Sequence, residues 1–240
     1  MVHAMDASPR NASLGRRQDD GPPLALVAAI CIGLIFGGLA IGVALGGVMP
    51  LPYGPVAAVQ LYTRAEPMAI QVIAVAAFAS SVPLAVYAAT ASARLRQHGV
   101  AALGTIALAG GILAAGALGL TGLVAWTLSR PEVSGDTALV RALYYLVFLI
   151  GGAGHIVALG LLIGGMAIPS LVLELLPRPL ALAGLVIAGL CELTTLVLIW
   201  PALGPILPVA RVSALAWLVV AGARLPLAGR SGRRGARSGS

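Results

Sequence analysis

LALVAAICIGLIFGGLAIGVALGGV, residues 24–48, runs for 25 positions without a charged side chain. An α-helix rises about 1.5 Å per residue, so roughly 20 apolar residues cross the ~30 Å hydrocarbon core of a bilayer. The run is long enough to span a membrane. Five more follow it, at about 67–91, 101–128, 139–168, 179–200 and 206–223. Inside hydrocarbon every backbone N–H and C=O must find its partner within the protein, and a helix achieves this within one segment. The runs therefore predict an all-α fold, a polytopic transmembrane bundle of six helices occupying residues 24–225. The polar residues 1–23 and the Gly/Ser/Arg-rich residues 226–240 read as disordered flanks. The first run is too long for the ~7–15-residue apolar core of a signal peptide and reads as an uncleaved helix.

Composition agrees. The chain is 59% hydrophobic and only 10% charged, where a soluble domain carries about 25% charged residues. Six helices and their connections use nearly the whole length, which leaves no room for a soluble catalytic domain. The net charge of +7 comes from 15 arginines and no lysine. Lysine's absence beside abundant Ala, Gly and Leu suggests a GC-rich bacterial genome, and hence the bacterial plasma (inner) membrane. A basic chain of soluble type would hint at nucleic acid. Here the arginines alternate with the helices, and no nucleic-acid partner is expected.

That alternation predicts the orientation. With the N-terminus inside, Arg10, Arg16, Arg17, Arg94, Arg96, Arg178, Arg224, Arg230, Arg233, Arg234 and Arg237 fall on the cytoplasmic side. Only Arg64, Arg130 and Arg141 fall outside. Cytoplasmic connections carry the excess of Lys and Arg, so both termini are placed in the cytoplasm. Tyr53, Tyr62, Trp126, Tyr144, Tyr145 and Trp200 gather toward the outer ends, where amphipathic rings favour the interface.

Glycine spacing predicts close helix contacts. Gly33/Gly37, Gly38/Gly42, Gly42/Gly46 and Gly160/Gly164 each stand four apart, which lets backbones approach where lipid offers no hydrophobic drive. These faces serve intramolecular packing first and offer a homo-oligomer contact second. Pro83 should loosen the second helix, with Ser80 and Ser81 able to satisfy the freed carbonyl. Pro169 should bend or end the fourth.

Ionisable groups within the runs are the candidate site, because charge in hydrocarbon is costly. They are His155, Glu192 and Arg211. Glu192 and Arg211 lie at similar distances from the hairpin turn at Ala202–Gly204, so they are expected to pair, directly or through water. Thr195 stands one helical step from Glu192 on the same face, and His155 lies at a comparable depth on the neighbouring helix. Such a cluster can relay protons, hold a polar head group, or brace helix register; for His155 alone, a bond to a backbone carbonyl suffices. Protonation of Glu192 would loosen the pair and let the hairpin shift.

No phosphate-binding loop, HExxH or GxSxG motif is present, so no ATPase, zinc or serine-hydrolase chemistry is indicated. Cys31 and Cys191 lie singly in apolar runs. No catalytic residue, metal or cofactor is assigned. The expected activity is a small-molecule or proton-linked carrier, or a membrane accessory protein. The alternative is a lipid-acting enzyme using Arg94, Arg96 and Arg178 for a phosphate head group.

The segment 143–225 contains FLIGGAGHIVALGLLIGGMAIPSLV, LLPRPLALAGLVIAGLCELTTLVL and PALGPILPVARVSALAWLVVAGARLP. It resembles an uncharacterised family of bacterial six-helix membrane proteins, often filed under a domain of unknown function. The Gly-rich fourth helix, the Leu176–Arg178 turn and the Trp217 helix carry the likeness. The resemblance implies a plasma-membrane protein and supplies no catalytic residues.

Overall fold

Six helices long and apolar enough to cross a membrane form along the chain: Leu24–Gly46, Pro67–Gln97, Ala101–Leu128, Thr137–Val172, Arg178–Leu198 and Ile206–Arg224. The computed structural model describes residues 22–225. The flanks expected to be disordered, 1–23 and 226–240, lie outside the described residues except for Pro22 and Pro23. The α-helices are α1 (Leu24–Gly46), α2 (Val56–Ala65), α3 (Pro67–Gln97), α4 (Ala101–Leu128), α5 (Pro131–Ser134), α6 (Thr137–Leu149), α7 (His155–Val172), α8 (Arg178–Leu193) and α9 (Ile206–Arg224). A π-helical turn, Ile150–Gly154, joins α6 to α7, and 3-10 turns occupy Thr194–Leu198 and Pro201–Leu203. No strand forms among the described residues.

Successive apolar helices pack side by side as a ring: α1 on α3, α3 on α4, α4 on α7, α7 on α8, α8 on α9, and α9 back on α1. Small residues set the close approaches. A Cβ on Gly122 of α4 would stand 2.6 Å from the Ala74 carbonyl oxygen of α3, and one on Gly165 of α7 would stand 2.7 Å from the Ala107 amide of α4. Real Cβ atoms do not come so near, so these contacts exist because glycine is there. The Gly38/Gly42/Gly46 stripe of α1 packs against Ala76, Ile73, Ala69 and Glu66. Gly33 and Gly37 face open space. The expected homo-oligomer contact has only that face left on α1.

Long-range hydrogen bonds fix rotation. The Tyr87 hydroxyl, fully buried, donates to the Leu218 carbonyl at 2.8 Å, joining α3 to α9. The Trp217 indole donates to the Leu180 carbonyl at 2.8 Å, joining α9 to α8, and its ring lies over Gly184. Leu84, Leu95, Ile156, Leu159, Leu162, Ile163, Met166 and Leu218 fill the interior around them. Outward-facing positions are also apolar: Val75, Leu113, Val186 and Val209 are all exposed. A helix apolar all round suits a bilayer surround.

The bundle has two unlike ends. At the terminal end, the α3–α4 turn closes with Val100 N–H on the Leu95 carbonyl and Gly99 N–H on the Arg96 carbonyl, and Gly99 takes φ 84°. This is the Schellman arrangement, whose left-handed residue favours glycine. The helix runs through Arg94 and Arg96 to Gln97, whereas the apolar run stops near 91. Hydropathy marks the apolar stretch, and the helix continues past it. Arg94 donates to the Pro22 carbonyl and Arg96 to the Ser92 hydroxyl.

The opposite end is capped by α2, α5 and the loops beside them. Arg64 donates to the Ser134 and Gly135 carbonyls, and the Tyr144 hydroxyl donates to the Pro50 carbonyl at 2.6 Å. Tyr62 donates to the Gly47 carbonyl. Burial first, and Glu66 second, raise its phenol above the usual range, so it remains a donor. Asp136 caps α6 by accepting from the Ala138 and Leu139 amides at 2.9 and 3.1 Å, satisfying donors that a helix start leaves free.

Two proline expectations are corrected. Ser80 and Ser81 bond to the Ala77 and Phe78 carbonyls rather than to that of Ala79, which Pro83 leaves without its usual donor. Pro169 lies inside α7, which continues to Val172. The irregularity in this passage comes earlier, at Ile150–Gly154.

Candidate functional site

The π turn at Ile150–Gly154 reads IGGAG. Glycine is a poor helix former, and three of the five residues are glycine. A π turn widens a helix locally and recurs at functional sites. Here it separates two cavities. Gly151 and Gly152 face one of them, and Ile150, Ala153 and Gly154 face the other.

The first cavity, about 580 Å³, lies inside the ring at the capped end. Its walls come from α1 (Ile35, Phe36, Leu39), α3 (Ile73, Ala77), α4 (Leu118, Thr121), α6 with the π turn (Val147, Phe148, Gly151) and α9 (Leu207, Arg211). Tyr53 joins it from the capping loop, edge-on to Phe148 with ring centroids 5.5 Å apart. Deeper along the same helices, Cys31, Leu84, Tyr87, Leu215 and Leu218 are buried.

Among the described residues Arg211 is the one charged residue lining this cavity. Its guanidinium donates through an Nη to the Gly151 carbonyl of the π turn. Its Nε is buried and has no hydrogen-bond partner among the described residues. Arg211 stands five residues into α9, about 7 Å from the helix start at ~1.5 Å per residue.

The second cavity, about 820 Å³, is a groove on the outer flank of α4, α7 and α8. It contains Glu192 and Thr195 among Leu113, Leu120, Leu161 and Leu198. Glu192 lies against α7: a Cβ on Gly160 would stand 3.0 Å from its Oε1, 2.8 Å from the Cys191 Cβ and 3.1 Å from the Ala188 carbonyl oxygen. The glycine at 160 thus serves the close α7–α8 approach its spacing predicts.

A direct Glu192–Arg211 ion pair is therefore not formed among the described residues. Arg211 bonds to Gly151, and the carboxylate of Glu192 faces the groove across the π turn. Counting from the hairpin gave depth but not rotation. Each residue turns roughly 100° around a helix, and it is Cys191 that faces α9, with its Sγ 4.0 Å from the Ala210 carbonyl oxygen. Protonating Glu192 cannot loosen an ion pair that is absent. Glu192 and Thr195 do share one face, as their spacing requires. Thr194 points inward instead and donates to the Cys191 carbonyl at 2.6 Å.

His155 begins α7, just past the π turn, and is wholly buried. Its Nδ1 lies 3.0 Å from the Ala114 carbonyl oxygen. A carbonyl only accepts, so Nδ1 carries the hydrogen, and the neutral ring presents Nε2 as an acceptor. Nε2 has no partner among the described residues. The structure thus associates His155 with Arg211 around the π turn, and places Glu192 with Thr195 outside it.

Sequence reasoning missed the π turn and the central cavity. The signal for the first was IGGAG, read as part of an unbroken helix. The second depends on how six separated segments converge. Among the described residues no cluster of metal-ligating side chains occurs.

Comparison with protein-family models, curated proteins and solved structures gives no match to this chain. Fold and site define a class, a polytopic helical bundle with six spans apolar enough to cross a membrane and one arginine set in a central cavity.

Proposed function

We propose that this protein is a small-molecule carrier of the bacterial inner membrane, with both termini cytoplasmic and the Arg211 cavity opening toward the outer side. The observation that carries this reading is Arg211. A guanidinium in a membrane interior costs ~2.5–3.5 kcal/mol or more to insert. In this fold it receives one backbone carbonyl in return, and a buried Nε without a partner adds to the cost. A packing residue would serve the fold better, which supports a ligand-binding role.

The π turn supports a carrier over a static binder. Carriers place their sites at interruptions in helices, where backbone groups are freed to meet ligand. A ligand that engages Arg211 would compete with the Gly151 carbonyl, coupling occupancy to the joint between α6 and α7. The orientation is supported by arginine partition: Arg94, Arg96, Arg178 and Arg224 lie at the terminal end, which the positive-inside rule assigns to the cytoplasm.

The test needs no substrate. Val212 lines the cavity and is exposed. In a Cys31→Ala, Cys191→Ala background, Val212→Cys would be labelled in sealed vesicles with a membrane-impermeant thiol reagent added to each side in turn. A carrier exposes its site alternately, so labelling from both sides is expected. Labelling from one side only would contradict the carrier and leave an accessory protein.

A further inference from the structure

We infer that the central cavity binds a free single-tailed amphipathic anion, with its acid group on Arg211 and its hydrocarbon tail along α1 and α3. This rests on reading the Arg211 cavity as the ligand site, and names the substrate class. Two observations carry it: among the described residues Arg211 is the one charged group of the lining, and its guanidinium has a single backbone carbonyl as partner. Guanidinium presents donors in a fork that matches carboxylate or phosphate oxygens two at a time. With Nη2 on Gly151 and Nε shut away from the cavity, the Nη1 end of the guanidinium remains for a ligand.

Most of the rest of the wall is hydrocarbon. Ile35, Phe36 and Leu39 of α1 face the cavity together with Ile73 and Ala77 of α3. Thr121 has committed its hydroxyl to the Ala117 carbonyl at 2.7 Å, so it donates nothing to a polar ligand. A sugar or an amino acid would find one charge, the Tyr53 hydroxyl and few further polar side chains. A volume of about 580 Å³ falls within the ~300–1,000 Å³ usual for small-molecule sites and suits one acyl chain rather than a two-tailed lipid. Glu192 and its negative charge lie across the π turn, outside the cavity.

The experiment is equilibrium binding to the full-length protein in phosphatidylcholine nanodiscs. Probes are laurate, dodecyl phosphate, dodecanol, acetate and dilauroyl phosphatidate. Laurate and dodecyl phosphate are expected to bind saturably at one per chain, with dodecanol and acetate at least tenfold weaker. Arg211→Met should weaken the two anions at least tenfold and leave dodecanol unchanged. Ala77→Phe, which keeps the arginine and fills the tail region, should weaken laurate without restoring acetate. Equal binding of laurate and dodecanol, or full laurate affinity in Arg211→Met, would overturn the proposal. So would displacement of laurate by an equal concentration of the two-tailed phosphatidate. Binding of laurate with one-sided Val212→Cys labelling would sink the carrier and spare the ligand; two-sided labelling without anion binding would do the reverse.

Discussion

The Arg211 cavity and the Glu192 groove lie on opposite faces of one π turn, and both are apolar spaces with a single charged residue. They differ in enclosure. Arg211 is held inside the ring by a backbone carbonyl, with a buried donor unspent. Glu192 lies exposed on the outer flank, where its carboxylate packs over Gly160. An enclosed charge without a counter-ion must be tolerated at the expense of stability. An exposed one at a groove edge can be neutral or solvated at little cost. The difference teaches that two charges at matched depth need not belong to one site, because helix rotation decides which face of the wall each occupies.

Substitutions should separate the two regions by size of effect. Gly160→Leu, at the wall between α7 and the groove, is expected to be the most damaging. Its side chain would drive into Cys191 and the Ala188 carbonyl, and overpacking of this kind costs about 1–3 kcal/mol or more. A reversible unfolding titration in mixed micelles checks it, and wild-type stability would break the account of α7–α8 packing. Tyr87→Phe, below the cavity, removes the buried bond to Leu218 and should cost about 1 kcal/mol by the same titration.

Arg211→Met sharpens the contrast. Removing an uncompensated interior charge is often neutral or stabilising, so stability within about 1 kcal/mol of wild type, or above it, is expected from the same titration. A loss of several kcal/mol would mark Arg211 as a brace. Glu192→Gln should change stability least, by under about 0.5 kcal/mol, because the amide keeps the shape of an exposed side chain.

Much of the fold was legible because a bilayer makes hydropathy and helix length the same question. The six runs and the close approach at Gly160 both express local rules. The ends were less so. Arg94 and Arg96 are helical because a helix does not stop where its apolar stretch does. The site was half legible. His155 bonded to a carbonyl and Glu192 sharing a face with Thr195 follow from sequence spacing and burial. The partner of Arg211 does not, since Gly151 comes within reach only where α6 gives way to a π turn, and glycine content alone does not distinguish that turn from the other glycine-rich helices.

The most direct test is the double-mutant cycle of Glu192→Gln and Arg211→Met, read as unfolding free energy in nanodiscs or detergent. Separate sites predict additivity within about 0.3–0.5 kcal/mol. A coupling energy above about 1 kcal/mol, with the double mutant recovering what each single change lost, would show that the two charges meet and would contradict the two-site account.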